Sequence, residues 1–156
     1  MNFINFTVCN INAMAGNITL TIIKPVAFSK NNAGRILSRI SDAGFWIVAA
    51  KTMQLSSTEA KKFYEVHKDR EFYNDLVEFM SSGPVLIVML QKKNAVEDFR
   101  TLIGKTNPAD AAEGTIRHDF GTSLRANAVH GSDSDENAIK ECNFFFAEAD
   151  RFYQPG

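Results

Sequence analysis

Six consecutive apolar residues, Val85-Leu-Ile-Val-Met-Leu90, stand directly after the turn signal Ser81-Ser-Gly-Pro84. The run is too short for a helix and rich in branched side chains, so it predicts a fully buried strand. Such a strand needs a core large enough to enclose it. With 156 residues, 45% hydrophobic and 22% charged, the chain can bury one, within the size range of a single compact domain.

The remaining elements fall around that strand. Ile18-Thr-Leu-Thr-Ile22 alternates apolar and polar, a strand pattern that Pro25 ends. Ala33 to Asp42 reads as a helix with Ile36, Leu37 and Ile40 on one face and Gly44 as its stop. Phe45 to Leu55 reads as a second strand. Ser56-Ser-Thr-Glu59 is a capping box opening a helix that carries Ala60, Phe63 and Tyr64, and Phe72 to Met80 is a further short helix. Asn94 to Ile103 is helical, stopped by Gly104. Lys105 to Leu124 loses periodicity and reads as a long loop, of the kind that is functional or disordered. Ala128-Val129-His130 is a short strand end, and Ser134 caps a last helix through Phe146. With the helix pair and the loop set aside, the order is βαββαβ. That order predicts an α/β (α+β) fold of the ferredoxin-like kind, a four-stranded antiparallel sheet with helices on one face.

Charge and composition exclude several classes. Lysine and arginine number 17 against 18 acids, a net charge of −1, which lacks the basic excess of a nucleic-acid binder. The longest apolar runs, Phe45 to Ala50 and Val85 to Leu90, are far below the length of a membrane span. Cys9 and Cys142 form no CxxC or metal-like spacing, which excludes a disulfide scaffold and a Cys-rich zinc site and points to a reduced, cytoplasmic protein. Residues 1–13 lack charge, periodicity and any targeting pattern. They are expected to be either a mis-assigned segment ahead of a true start at Met14 or a disordered, loosely held extension, with one domain over 14–156.

Among the candidates for chemistry, Gly104-Lys105-Thr106 resembles the end of a P-loop, but Phe99 stands where its first glycine belongs and a helix precedes it. No GxGxxG occurs. Of the three histidines, His67 lies on the polar side of a helix and His118 lies in the irregular loop. His130 ends an apolar segment and leads into Gly131-Ser-Asp-Ser134, a turn before a helix, which makes it the candidate catalytic histidine. Arg100, Lys105, Thr106, Arg117 and Arg125 lie close by in the chain. Arginines with a threonine hydroxyl are what a phosphate chain requires, although charges in loops are more often only solvated.

Together these residues resemble a family. Asn127-Ala-Val-His-Gly-Ser-Asp-Ser134 is similar to the active-site signature of nucleoside diphosphate kinases. Thr21-Ile-Ile-Lys-Pro25, Ser82-Gly-Pro-Val85, Gly104-Lys-Thr-Asn-Pro-Ala-Asp110 and Gly114-Thr-Ile-Arg117 match its other motifs in order and spacing, so the resemblance runs from Ile18 to about Phe146. It implies a ferredoxin-like core and a ping-pong transfer of the terminal phosphoryl from a nucleoside triphosphate to a nucleoside diphosphate. It also implies that His130 carries the phosphoryl on Nδ1, oriented by Glu141 and Ser132. By the same resemblance Arg100, Thr106 and Arg117 would grip the phosphates, with Lys24 and Tyr64 at the transferring end. Lys24 and Asn127 would meet the ribose, and Phe72 and Leu124 would enclose the base. Mg2+ would bridge the phosphates, without a protein metal site, and the protein would be a homotetramer or homohexamer. Val26 and Glu71 depart from the family pattern, where Asp and Pro are common. The competing readings are a catalytically weak regulatory or nucleotide-binding member, and an RNA-binding ferredoxin-like domain. The second lacks its aromatic run here.

Overall fold

The computed structural model describes residues 9–155. Strands β1 (Ile18–Ile23), β2 (Trp46–Met53), β3 (Val85–Gln91) and β4 (Val129–Gly131) form one antiparallel sheet in the order β2-β3-β1-β4. The apolar run is central: β3 pairs with β1 from Ile18↔Gln91 to Ile23↔Leu86, and with β2 from Trp46↔Gln91 to Met53↔Val85. The ferredoxin-like order is thus present.

The helices, however, cover both faces, which corrects the expectation of one. Val85, Ile87 and Met89 join Ile18, Leu20 and Ile22 in a cluster beneath α3 (Ser57–Phe63), α4 (Tyr73–Met80) and α7 (Asp135–Phe145). Leu86, Val88 and Leu90 join Ile23 in a second cluster under α2 (Ala33–Asp42), α5 (Ala95–Ile103) and α6 (Ile116–Phe120). Successive side chains of a strand point to opposite faces, so a strand apolar at every position leaves no face that water can occupy. In β1 the alternation is real, but its polar side is also enclosed: Thr19 and Thr21 are fully buried.

Two short helices escape the sequence pattern. Pro25 ends β1 as expected, yet it also opens α1 (Pro25–Ser29), because the first turn of a helix has no use for the N–H that proline lacks. The irregular segment 105–124 holds a 3-10 turn at Pro108–Asp110 and helix α6, each started by a side chain: Asn107 accepts from the Ala109 N–H and Thr115 from the His118 N–H. The capping box of α3 is formed in both directions, Ser56 Oγ accepting from the Glu59 N–H and Glu59 accepting from the Ser56 N–H.

Of the extension expected over 1–13, residues 1–8 lie outside the described residues. Ile11–Met14 form a 3-10 turn, and Ile11 and Met14 pack against the first cluster. Among the described residues no helix is long and apolar enough to cross a membrane.

Candidate active site

Strand β4 carries His130 at the edge of the sheet. Among the described residues it pairs only with β1, His130 opposite Ile22, and Thr21 Oγ1 donates to the His130 carbonyl at 2.7 Å. Ala128 enters the strand with φ +72°, a left-handed conformation that costs a non-glycine residue about 1–2 kcal/mol. Its carbonyl accepts from the Lys24 N–H at 2.9 Å, so the end of β1 holds the turn in place. Gly131 is needed for packing: a Cβ there would stand 3.0 Å from Ile103 and 3.1 Å from Phe99 of α5.

The imidazole is held from α7. His130 Nε2 lies 2.5 Å from Glu141 Oε1, and the Ser132 hydroxyl donates to the same oxygen at 3.1 Å. Fully buried Ser132 is itself fixed to β1, its Oγ accepting from the Leu20 N–H at 3.1 Å and its N–H donating to the Leu20 carbonyl at 3.2 Å. A carboxylate accepts only, so this contact places the proton on Nε2 and leaves a lone pair on Nδ1. Around the ring stand Phe63, at 5.4 Å between centroids, and Tyr64, at 6.1 Å. Among the described residues the buried Tyr64 hydroxyl has no hydrogen-bond partner, and burial, then the charge of Glu141, raises its pKa far above the usual phenol value.

The cationic groups come from three segments. Lys24, 7% exposed, follows β1; burial and then the charge of Arg117 pull its ammonium from 10.5 down to about 7. Its Nζ donates to the Arg125 carbonyl at 3.5 Å. Arg117, on α6, donates to the carbonyls of Gly104 and Val129, both at 3.1 Å. Burial, then Arg100, lowers its pKa to about 10, so it stays charged at neutral pH. Arg100, in the last turn of α5, is exposed. Arg100, Lys105, Thr106, Arg117 and Leu124 line a cleft of about 440 Å3, with Asp110 as its one acid.

The resemblance-based residues therefore form two linked groups. Arg100, Thr106, Arg117 and Leu124 share the cleft, while His130, Ser132, Glu141 and Tyr64 cluster beside it. Arg117 joins them through the carbonyl of Val129, the residue before His130. Asn127, 2% exposed, donates to the Thr106 carbonyl at 3.0 Å, and its Oδ1 has no partner among the described residues. Phe72 does not line this cleft. It stands at the start of α4, 47% exposed, with Leu124 61% exposed on the opposing loop. The ion pair Arg125–Asp75, 3.0 Å, ties that loop to α4.

Phe63 and Asp75 were not foreseen as site residues. Phe63 read only as part of a helix face, and Asp75 meets a partner 50 positions away in the chain. His67 is not simply solvated, since its ring packs 5.6 Å from that of Phe72. His118 is on the surface, its Nδ1 2.9 Å from Asp119.

Comparison with known proteins places this geometry. The family model described as nucleoside diphosphate kinase matches residues 17–151. The chain is 58% identical over 139 residues to a nucleoside diphosphate kinase of Flavobacterium psychrophilum, covering 89% of this chain and all of that protein. It is 59% identical to one from Campylobacter concisus, covering 83% of this chain and 94% of the other. Among solved structures, the Aquifex aeolicus nucleoside diphosphate kinase superposes with TM-score 0.85 at 41% identity, covering 86% of this chain and 98% of that one. A Halobacterium salinarum nucleoside diphosphate kinase in complex with CDP does so with TM-score 0.85 at 34% identity, covering 90% and 94%. The chain belongs to the nucleoside diphosphate kinase family.

Proposed function

We propose that the protein moves the terminal phosphoryl of a nucleoside triphosphate to a nucleoside diphosphate through a phosphohistidine on His130. The observation that carries this reading is the engagement of Nε2 by Glu141, which leaves the nucleophilic lone pair on Nδ1 beside a cationic cleft. In the first half-reaction the Nδ1 lone pair attacks the terminal phosphorus, the bond from phosphorus to the bridging oxygen breaks, and the nucleoside diphosphate leaves with that electron pair. In the second, a terminal oxygen of the incoming diphosphate attacks the same phosphorus and the N–P bond breaks. Covalent capture splits one transfer into two easier ones.

The protein's contribution is placement and charge. Arg100, Arg117 and Thr106 hold the phosphates, and Lys24 and the Tyr64 hydroxyl face the transferring group. Glu141 offsets the positive charge that the ring gains when Nδ1 is phosphorylated. Lys24 and the Oδ1 of Asn127 meet the ribose hydroxyls, and Phe72 and Leu124 enclose the base. The donors around the cleft are guanidinium, ammonium, hydroxyl and amide groups, which suit phosphate oxygens rather than a cation. Mg2+, arriving with the nucleotide, would neutralise part of the phosphate charge, and Arg100, Thr106 and Arg117 would hold the phosphates that carry it. The protein acts in the cytoplasm as a homotetramer or homohexamer, without nucleic acid or membrane partners.

Incubation with γ-labelled ATP tests the reading. The protein should take up acid-labile, base-stable label and pass it to ADP. His130→Ala should abolish both steps, while His67→Ala should leave both intact; full labelling of the His130 variant would remove the assignment. Arg117→Ala, losing a charge-assisted contact of about 1.5–3 kcal/mol, should lower kcat/KM at least about tenfold.

A further inference from the structure

Arg125 lies close to His130 in the chain and read in the sequence as one of several candidate phosphate cations. The structure gives its charge another use. Arg125 does not line the cleft shared by Arg100, Lys105 and Arg117. Its guanidinium turns to Asp75 instead, Nη2 donating to Oδ2 at 3.0 Å.

Arg125 belongs to a tight turn that carries Leu124. The Thr122 N–H donates to the Ala126 carbonyl at 2.9 Å, and the Ala126 N–H to Ser123 Oγ at 3.0 Å. These bonds fix the shape of the turn but not its distance from α4. Opposite it, Phe72 stands at the start of α4 and Asp75 follows three positions on, which puts both on one side of the first turn. The helix is held from behind. The Tyr73 hydroxyl donates to the Lys61 carbonyl at 2.9 Å, and Val77 and Met80 are buried in the first cluster. Among the described residues the Arg125–Asp75 pair is the one hydrogen-bonded link between the turn and α4. It adjoins both apolar side chains: Leu124 directly precedes Arg125, and Phe72 lies one helical turn before Asp75. The Arg125 backbone is tied the other way, its carbonyl accepting from Lys24 Nζ at 3.5 Å.

We propose that Asp75 and Arg125 are positioning residues for the nucleobase, their ion pair setting the gap between Phe72 and Leu124; this rests on the reading above that those two side chains enclose the base. The side chains of the pair are 45% exposed at Arg125 and 61% at Asp75. An exposed pair is a weak constraint that salt loosens, so its effect is on affinity and is modest. The phosphate contacts and His130 do not depend on it.

The test compares a ligand that has a base with one that has none. Binding of ADP and of inorganic tripolyphosphate is measured by calorimetry for wild type, Asp75→Asn, Arg125→Gln, the double variant and Phe72→Ala. Each single variant of the pair should bind ADP about two- to fivefold more weakly. The double variant should lose no more than either single one, and tripolyphosphate should bind all of them as it binds wild type. KM for ADP should rise by the same factor with kcat preserved, and added salt should shrink the difference from wild type. Unchanged ADP affinity in both single variants overturns the proposal. So does an equal loss for tripolyphosphate, which would mean general loosening of the site. A loss at Arg125→Gln that exceeds that at Asp75→Asn and extends to tripolyphosphate would make Arg125 a phosphate ligand, and overturns it too. Phe72→Ala separates the proposal from the reading beneath it. It should weaken ADP alone; if it binds ADP as tightly as wild type does, the enclosure of the base by Phe72 falls, and this inference with it.

Discussion

Lys24 shows how far a buried charge can be moved by its surroundings. Its ammonium titrates at about 7 in the folded chain, against 10.5 for the free side chain. Between those values the unfolded chain binds more protons than the folded one, so stability rises with pH across this window. The penalty is complete below about pH 7 and absent above 10.5. The melting temperature of wild type, measured against Lys24→Met, should therefore climb from pH 6 to pH 9; a constant difference would contradict the shift. A nucleotide phosphate brought beside Lys24 favours the charged form. Binding of ADP at pH 8 should take up as much as about one proton, read by calorimetry in buffers of different ionisation enthalpy. None of this was legible in the sequence, which shows a lysine before a proline. Burial comes from how α1, α6 and the Arg125 loop fold over it. The legible residues were those whose chemistry fixes their identity: His130 in its turn, and the arginines with Thr106. The neighbours of the imidazole were not, because a phenylalanine beside a catalytic ring looks the same in a sequence as one in a core.

Helix α6 has only five residues, yet it carries Arg117, and its position depends on a glycine elsewhere. Gly104 ends α5 with φ +85°, and a Cβ there would lie 2.6 Å from Oγ1 of Thr115, the residue that caps α6. The Gly104 carbonyl also accepts from Arg117. Gly104→Ala should therefore act twice. Strain at positive φ should lower stability by about 1–2 kcal/mol, and displacement of Thr115 should move Arg117 and raise KM for the nucleotide. Thermal melting and steady-state kinetics of the variant check this, and an unchanged KM would separate Gly104 from the phosphate cleft. Longer elements such as α2 and α5 declared themselves by the spacing of their apolar residues. Helices α1 and α6 are too short to show a period, and they form because proline or a capping side chain starts them. The second helical layer was implicit in β3, whose apolar residues serve both faces, but the order of elements alone does not say on which side a helix lands.

In the whole molecule Leu124 shares the cleft with Arg100, Lys105, Thr106 and Arg117, while Phe72 stands outside it at the start of α4. In the proposed binding mode the cations meet the phosphates, and Phe72 and Leu124 offer the base only apolar surface. Stacking accepts any base, and differences in stacking amount to about 1–3 kcal/mol. A panel of ADP, GDP, CDP, UDP and dTDP with ATP as donor should give rates within about 100-fold of one another. Use of one base with the others thousands of times slower would require a polar pocket on the α4 side. The near-zero net charge and the strand order were readable from the sequence; the convergence of α5, α6 and the Leu124 loop on one cleft became visible only when distant segments met. The narrow edge strand β4 has a kinetic consequence. The contact of Thr21 with His130 joins positions 109 residues apart, and among the described residues β4 has no partner except β1. Closing so large a loop is slow relative to forming helices or pairing β2 with β3, so His130 should reach its place late in folding. On dilution from denaturant, most of the far-ultraviolet signal should return before the protein can accept label from ATP. A brief population would then exist that has native-like helices but no turnover, and activity, not helicity, would time the last step of folding.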